Sequence, residues 1–326
     1  DYYEKGVKTV SDDAYMILEH WGMSMGSDRP KLVNAGMLCW QNTCNAFEQT
    51  AMGWLKDGDS FAEANQDGYI SYPESHDEER AFFKAKQWGN GTMKTDETVR
   101  VGRVPLNMAF ATLLNGSHMF YHFAELGYDN SKYQNAAGKW GTDNDYGIKA
   151  EVQEDVKMQA KMRPENAGWF RKGSVRMDAY QKTAQAIQLR TRLMPEVFEG
   201  NPTAVQIGSG KAVRTIQWGS DVFVAGNFSA TSAQTVTLPG GTWYDYYLNG
   251  KTASGTITLQ PGELKIYTGT KVALPQVPEY FDFAMGIDNT TVAPSATAHA
   301  QKVLIDGIVY IVRDGVWYDL FGRKIR

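Results

Sequence analysis

Short apolar runs and amphipathic segments alternate along residues 1–197. The apolar runs are bounded by glycine, asparagine or charged residues, which is typical of buried strands. The segments between them repeat apolar residues at helical spacing; Leu106 and Leu113, for example, share one face of residues 103–114. Strands are predicted to end near residues 19, 41, 72 and 123, and helices to cover residues 2–10, 42–55, 103–114 and 177–191. This alternation predicts βαβ units and a parallel sheet.

Two segments of this part show no period. Residues 22–30 are rich in glycine and methionine, and they predict a loop that lines a cleft. Residues 130–175 are polar and rich in asparagine, glycine and lysine, and they predict a long loop over the functional end of the sheet.

The pattern changes at about residue 198. Six short β-prone runs follow between residues 213 and 268, separated by turn dipeptides such as Pro-Gly and Asn-Gly. They predict an antiparallel β-sandwich over residues 198–271. Residues 272–326 are predicted to be a linker with proline and threonine, followed by a tail of two or three strands joined by Asp-Gly turns. The predicted fold class is α/β plus all-β.

Ionisable side chains follow two of the predicted strands directly. Residues 74–80, Glu-Ser-His-Asp-Glu-Glu-Arg, come after the strand at 69–72, and Glu19 and His20 end the apolar run at 14–18. In barrel enzymes the carboxyl ends of the strands carry the chemistry, so these groups predict one site. The alternative is a solvated helix start after residue 72, with Ser75 or Asp77 as the N-cap.

Three segments resemble the α-amylase family, glycoside hydrolase family 13, in order, spacing and residue type. They are residues 17–21 (Ile-Leu-Glu-His-Trp), 74–80 and 123–129 (Phe-Ala-Glu-Leu-Gly-Tyr-Asp). The resemblance covers residues 1–270 and is strongest to the bacteroidete members. It implies the second half of a (β/α)8 TIM barrel, strands five to eight, over residues 1–197, followed by the β-sandwich. It also implies cleavage of α-1,4-glucosidic bonds in starch or maltooligosaccharides with retention of configuration.

The resemblance assigns two catalytic carboxyl groups. Breaking an acetal requires a proton for the leaving oxygen and negative charge near the oxocarbenium-like centre. Glu19 is implied to be the general acid/base, and the apolar residues before it are compatible with the protonated form that a donor needs. Asp77 is implied to hold the hydroxyls of the cleaved sugar more tightly in the transition state.

Four further residues are implied to bind substrate. His76 would hydrogen-bond the same sugar ring as Asp77, although a histidine at a strand end is more often structural. His20 and Trp21 would border the acceptor side. Glu125 follows the last predicted strand, where the family has a polar residue; capping of a loop is the alternative role.

One part of the family pattern is missing. The family's nucleophile is an aspartate on the fourth strand, within a Gly-Phe-Arg-x-Asp pattern, and no such pattern precedes Glu19. Only residues 1–13 lie before the predicted fifth strand. The sequence therefore predicts a fragment that begins after the nucleophile-bearing strand and that has no hydrolytic activity alone.

Charge and composition limit the partners. The net charge is −4, the pI is about 5.8 and no long basic run occurs, which argues against nucleic acid or an anionic membrane and favours a neutral α-glucan. No apolar run reaches membrane-spanning length. The resemblance allows calcium, but no ligand set is identified, so no metal site is predicted.

The two cysteines bear on the cellular compartment. Cys39 and Cys44 lack the second ligand pair of a zinc site and are predicted to be buried thiols; a disulfide is the alternative if the protein is exported. The C-terminal tail resembles segments on exported bacteroidete proteins. It therefore predicts a sorting segment and a periplasmic, cell-surface or secreted location.

Two other functions remain open. A glucan-branching or other transglycosylating enzyme would use the same carboxylates and differ only in whether water or a sugar hydroxyl reaches the covalent intermediate. A carbohydrate-binding or scaffold protein on a non-catalytic barrel is the third alternative, because one fold hosts many functions.

Overall fold

The computed structural model describes residues 2–11, 14–21, 23–56, 58–131, 169, 171–277, 300–305, 308–313, 316–318 and 325. The chain forms two compact units, residues 1–282 and residues 283–326. Both the predicted barrel part and the predicted sandwich fall within the first unit, so their boundary at residue 197 stays a prediction. Most of the predicted loop at 130–175 and of the linker after 272 lies outside the described residues.

Four parallel strands form one sheet of the first unit. They are β1 (Ile17–Leu18), β2 (Leu38–Asn42), β3 (Tyr69–Tyr72) and β4 (Ser117–His118), and their spatial order is their chain order. The described helices are α1 (Tyr2–Lys8), α2 (Met25–Asn34), α3 (Cys44–Met52), α4 (Ala81–Trp88), α5 (Glu97–Val101), α6 (Val104–Leu113) and α7 (Val175–Gln188). Helices lie between consecutive strands, as in one sector of a (β/α)8 barrel. The predicted parallel sheet is confirmed.

Two local predictions are wrong. Residues 22–30 are not a loop throughout, because α2 begins at Met25 and continues past Pro30. A proline in a helix removes one backbone hydrogen bond, and here the buried side chain of Arg29 supplies tertiary contacts that hold the helix to His20 and to Gln41 of β2. The strand expected to reach residue 123 ends at His118. Phe123 has a left-handed φ of 65°, which no strand accommodates.

The described strands between residues 204 and 268 of the first unit form antiparallel sheets. Six strands pair in the order β10-β9-β12-β7-β6-β5, and β11 pairs with β8. The strands are β5 (Ala204–Gln206), β6 (Val213–Trp218), β7 (Val222–Asn227), β8 (Gln234–Thr237), β9 (Trp243–Asp245), β10 (Lys251–Ala253), β11 (Thr256–Leu259) and β12 (Leu264–Thr268). Each of the six predicted β-prone runs overlaps one of these strands.

The central strand β7 is buried on both faces, and its two sets of side chains serve different cores. Phe223 and Ala225 pack with Leu238 and Leu259 from the β8–β11 side. Val222 and Val224, which point the other way because side chains alternate along a strand, join a larger cluster. Two antiparallel sheets packed through one face of β7 are consistent with the predicted sandwich.

The larger cluster joins the helices of the parallel part to the antiparallel sheet. At its centre Phe61 stacks on Phe47 at 4.5 Å between ring centroids, and Phe228 lies 5.4 Å from Phe61 and 5.1 Å from Phe110. Burial of these rings contributes to the apolar contact between the two parts.

A fully buried ion pair lies beside this cluster. Arg214 of β6 and Asp59, in the loop after α3, are both 0% exposed, and the Arg214 Nη2 to Asp59 Oδ2 distance is 2.6 Å. The guanidinium lies 4.3 Å from the Phe61 ring centroid and 5.2 Å from that of Phe228. Burial lowers the pKa of Arg214 to about 10, and the carboxylate of Asp59 opposes that shift. The charge of Arg214 is therefore retained at neutral pH.

The second unit contains an antiparallel meander of β13 (Ala300–Ile305), β14 (Ile308–Arg313) and β15 (Val316–Tyr318). The three strands agree with the two or three strands that the sequence predicted for this tail. The Asp-Gly turns lie outside the described residues. None of the helices described here has the length and apolar character needed to cross a bilayer.

Arg214→Met is expected to lower the free energy of unfolding by about 3–5 kcal/mol, because it leaves the Asp59 carboxylate buried without its cation. The double variant Asp59→Asn/Arg214→Met should be more stable than Arg214→Met. Lys182→Met is the control, since its pair with Asp178 is exposed and is expected to change stability by about 0–1 kcal/mol. Urea unfolding measures the stability of all three variants. Equal losses for Arg214→Met and Lys182→Met would show that the buried pair matters no more for stability than the exposed one.

His118 predicts a pH dependence of stability. Its Nε2 donates to the Leu114 carbonyl at 3.0 Å and its Nδ1 lies 2.8 Å from Ser71 Oγ; burial, and secondarily the charge of Arg190, lower its pKa to about 3. Between pH 6.5 and 3 the unfolded chain therefore binds a proton that the folded chain does not, and stability is lost as pH falls. The expected loss is at most about 1.4 kcal/mol per pH unit.

Urea unfolding of the wild type and of His118→Asn at pH 7, 6, 5 and 4.5 tests this dependence. The variant is expected to be less stable at pH 7 but to lose less stability on acidification. Parallel curves for the two proteins would show that His118 does not titrate differently on unfolding.

Candidate active site

Three of the predicted site residues meet at the carboxyl ends of the parallel strands. Glu19 follows β1 directly, and His76 and Asp77 lie in the loop after β3. One oxygen or nitrogen atom from each lies within 4.8 Å of the other two, and His76 Nε2 is 3.2 Å from Asp77 Oδ1. All three side chains are exposed. The parallel register joins two strand ends that are far apart in the sequence, as predicted.

A chain of hydrogen bonds fixes the loop that carries His76 and Asp77. The backbone N–H of Asp77 donates to Ser75 Oγ at 3.1 Å, and the Ser75 hydroxyl donates to Glu78. The other Glu78 oxygen accepts from the amide of Asn42, the last residue of β2. Glu78 therefore ties the loop to a neighbouring strand. Neither Asn42 nor Glu78 was among the predicted catalytic or substrate-binding residues, although Glu78 belongs to the predicted ionisable cluster at 74–80 and both lie at strand ends.

A buried ion pair lies beneath the same loop. Arg80 Nη1 donates to Glu74 Oε2 at 3.0 Å, and the two side chains are 0% and 2% exposed. Glu74 Oε1 also accepts the N–H of Ala81, the first residue of α4, at 3.0 Å. The alternative in which Ser75 or Asp77 caps this helix is therefore wrong, because the helix begins later and Glu74 accepts from its first N–H.

Arg80 also reaches the segment after β4. Its Nη1 donates to the His122 carbonyl at 2.8 Å, and its guanidinium lies 4.2 Å from the Tyr121 ring centroid and 4.7 Å from that of Tyr128. A planar guanidinium stacks well on aromatic faces. One arginine thus joins the loops that follow β3 and β4.

Trp40 and Tyr72 pack beside the cluster. The Trp40 ring meets His76 edge-on at 6.0 Å and Tyr72 at 5.6 Å. Burial raises the pKa of Tyr72, and the charges of Glu78, Glu19 and Asp77 raise it further. Tyr72 therefore keeps its hydroxyl proton close to the carboxylates. No sequence signal pointed to either role, since aromatic residues in buried strands are usually core.

The two residues predicted to border the acceptor side, His20 and Trp21, follow Glu19. His20 Nε2 lies 3.7 Å from Asp28 Oδ2, and Trp21, 43% exposed, lies over the guanidinium of Arg29 at 4.3 Å. A cleft of about 460 Å³ is lined by Leu18, Glu19, His20, Asp28, Lys31 and Leu32. Helix α2, rather than the predicted loop, lines this cleft.

The apolar residues near Glu19 enclose it only in part. Ile17 is 54% exposed, Trp21 is also exposed, and Glu19 itself is open to solvent. On the side of Ile17 no described strand covers β1, which is the edge strand of the described sheet.

Glu125 lies apart from the three clustered residues. It belongs to the short 3-10 turn Ala124–Leu126. Burial raises the pKa of Tyr180 on α7, and the charge of Glu125 raises it further. Its contact with substrate stays a prediction.

Calcium does not fit the cluster of Glu19, His76 and Asp77. Calcium takes six to eight oxygen ligands, whereas these residues offer two carboxylates and an imidazole. The cluster therefore supports no calcium-dependent step.

Both cysteines lie below the site. Cys39 belongs to β2 and Cys44 begins α3; both are buried free thiols, and the alternative of a disulfide is not observed. The Cys44 Sγ lies 3.7 Å from the Tyr72 carbonyl, and burial raises the pKa of this thiol.

Comparison with known proteins identifies the fold. No protein-family model and no curated protein sequence matches the chain. Among solved structures, an Anoxybacillus α-amylase is similar with a TM-score of 0.53 and 14% identity, over 85% of this chain and 56% of its own. AmyP in complex with maltose has a TM-score of 0.56 and 14% identity, over 84% of this chain and 62% of its own. A pullulanase from an Anoxybacillus species has a TM-score of 0.56 and 13% identity, over 82% and 40%.

These similarities show a fold shared with amylases and pullulanases. The chain spans less than two thirds of the length of each of these three proteins. The closer resemblance to bacteroidete members of the family stays a prediction.

Both thiols are expected to resist a thiol reagent in the folded protein, because Cys39 is 0% and Cys44 1% exposed. Titration with Ellman's reagent at pH 8 should detect no thiol in buffer and two per chain in 8 M urea without reductant. Fewer than two in urea would indicate oxidation or a disulfide.

Proposed function

We propose that this chain is the site-bearing part of an α-glucan-active glycoside hydrolase that cleaves α-1,4-glucosidic bonds with retention of configuration. The observation that carries the proposal is the meeting of Glu19 with His76 and Asp77 at the carboxyl ends of parallel strands. Fold similarity to amylases and pullulanases supports the substrate class.

Glu19 is proposed to protonate the glycosidic oxygen and later to deprotonate the attacking water. It follows its strand without an intervening loop, so the backbone of β1 fixes its position. Its exposure allows a polymeric chain to reach the carboxyl group. General acid–base catalysis by one positioned group contributes about 10²- to 10⁴-fold.

Asp77 and His76 are proposed to bind the hydroxyls of the cleaved sugar. Their mutual contact of 3.2 Å aligns the imidazole, and Ser75 and Glu78 hold the backbone that carries them. Hydrogen bonds from a positioned carboxylate to sugar hydroxyls strengthen as charge develops on the ring. His20, Trp21 and Glu125 are proposed as further sugar contacts.

The substrate is proposed to be a neutral oligosaccharide or polysaccharide. The net charge of −4 gives no attraction to polyanions. AmyP, a structural neighbour, was solved with maltose. Export of the protein is also proposed, and the sequence of the C-terminal tail is its only support.

A retaining mechanism also needs a nucleophile, which the sequence resemblance does not assign to this chain. We propose that a preceding strand of the parent protein supplies it, and that the 326-residue chain alone binds sugar without hydrolysing it. The same carboxylates would serve a transglycosylase, so the products decide between the two.

The chain alone is expected to release no reducing ends from amylose, whereas the gene product that includes the preceding strand should release them. Glu19→Gln in that longer protein should reduce kcat by about 10²- to 10⁴-fold, because it removes the proton donor. A reducing-end assay and proton NMR of the α-1,6 region measure both reactions.

Several outcomes would overturn parts of the proposal. Turnover by the 326-residue chain would refute its predicted inactivity. New α-1,6 signals with few reducing ends would identify a transferase, and no change in either signal with the longer protein would favour a binding protein. The matched control is Glu199→Gln, since this glutamate is exposed and belongs to no part of the site.

A further inference from the structure

Arg29 connects three features of the site although it lies on α2 and not at a strand end. Its Nε donates to the His20 carbonyl at 3.2 Å, and its Nη1 donates to Gln41 Oε1 at 3.1 Å. The face of its guanidinium lies 4.3 Å from the Trp21 ring centroid. The arginine is 7% exposed, so these contacts are largely shielded from water.

The hydrogen bonds restrain the plane of the guanidinium. Two nitrogens on one rigid group are held by acceptors at the ends of β1 and β2, and Gln41 is held in turn by its donation to Glu63 at 3.1 Å. A restrained cation under an indole favours one orientation of that ring. Trp21 thus has one face against Arg29 while 43% of its surface stays exposed beside Glu19.

A purely stabilising role does not account for Arg29. Its Nη2 is buried and has no hydrogen-bond acceptor among the residues that the structure describes. Buried polar groups of folded proteins are normally satisfied, so an arginine kept with one donor unpaired needs another explanation. Restraint of the exposed Trp21 ring also has a clear use if a ligand stacks on its free face.

We propose that Arg29 is a positioning residue that holds Trp21 as the stacking platform for a sugar ring on the His20 side of Glu19. The proposal rests on the proposed function, since the ligand is an α-glucan. Flat aromatic side chains stack on the apolar C–H faces of pyranose rings, and a ring already held in place loses less conformational freedom on binding.

The test uses the full 326-residue chain and needs no catalysis. The variants are Arg29→Lys, which keeps the charge but loses the planar fork, Trp21→Ala, and the double variant. Arg192→Lys is the matched control, because Arg192 is exposed and remote in sequence from the site. Nitrogen-15 relaxation of the Trp21 indole N–H reports the order of the ring without sugar, and calorimetry with maltotriose and maltoheptaose reports affinity.

Arg29→Lys is expected to increase the motion of the Trp21 indole and to weaken maltoheptaose binding about 10-fold. Trp21→Ala should weaken binding at least as much, and the double variant should bind no more weakly than Trp21→Ala, because the two residues act through one platform. Gln41→Leu, which removes one acceptor and keeps the arginine, provides a milder variant if Arg29→Lys fails to fold.

An unchanged indole order in Arg29→Lys or Gln41→Leu would overturn the positioning role. Losses that add in the double variant would do the same, since Arg29 would then act independently of Trp21. Failure of the wild-type chain to bind either sugar would instead refute the proposed function, and with it the platform. If instead the wild type binds sugar and Arg29→Lys binds it equally well, only the positioning role is refuted.

Discussion

The parallel hydrogen-bond ladder from β1 to β4 is the constraint on which the site depends. Register pairs Leu18 with Cys39 and Gln41 with Ser71, so the residues that follow β1 and β3 emerge at the same edge. A shift of one residue would turn alternate side chains to the opposite face of the sheet. The observed register brings Glu19 and Asp77 to the same edge, and the buried side chains of Ile70, Ser71 and Tyr72 on β3 favour it.

Buried arginines fix the parts that the ladder does not reach. Arg80 lies between two loops at the site, and Arg214 joins the antiparallel sheet to the loop at Asp59. Asp129 accepts from Arg100 at 2.8 Å and from Arg176 of α7 at 3.0 Å. Such pairs add little net stability over apolar packing, but mispairing of one would leave a buried charge uncompensated. Each pair therefore disfavours arrangements in which the segments that it joins are separated.

The elements with strong periodicity were predictable from the sequence, and the same is true of the three clustered site residues. The β-prone runs of residues 213–268 became strands because alternation and turn residues agree. Helix α2 was missed because Gly26 and Pro30 are poor helix formers, and a tertiary contact of Arg29 decides its structure. Contacts such as Asn42 with Glu78 depend on side-chain geometry between distant segments, which no local pattern encodes.

The surroundings of Glu19 differ between its two sides. Desolvation of a carboxyl group disfavours its charged form, and it requires apolar walls around the group. On the side of α2 such walls exist, since Leu18 and Leu32 line the cleft. On the side of Ile17 they do not, because β1 is the edge strand of the described sheet. Any apolar wall on the side of Ile17 therefore comes from a group that lies outside the described residues.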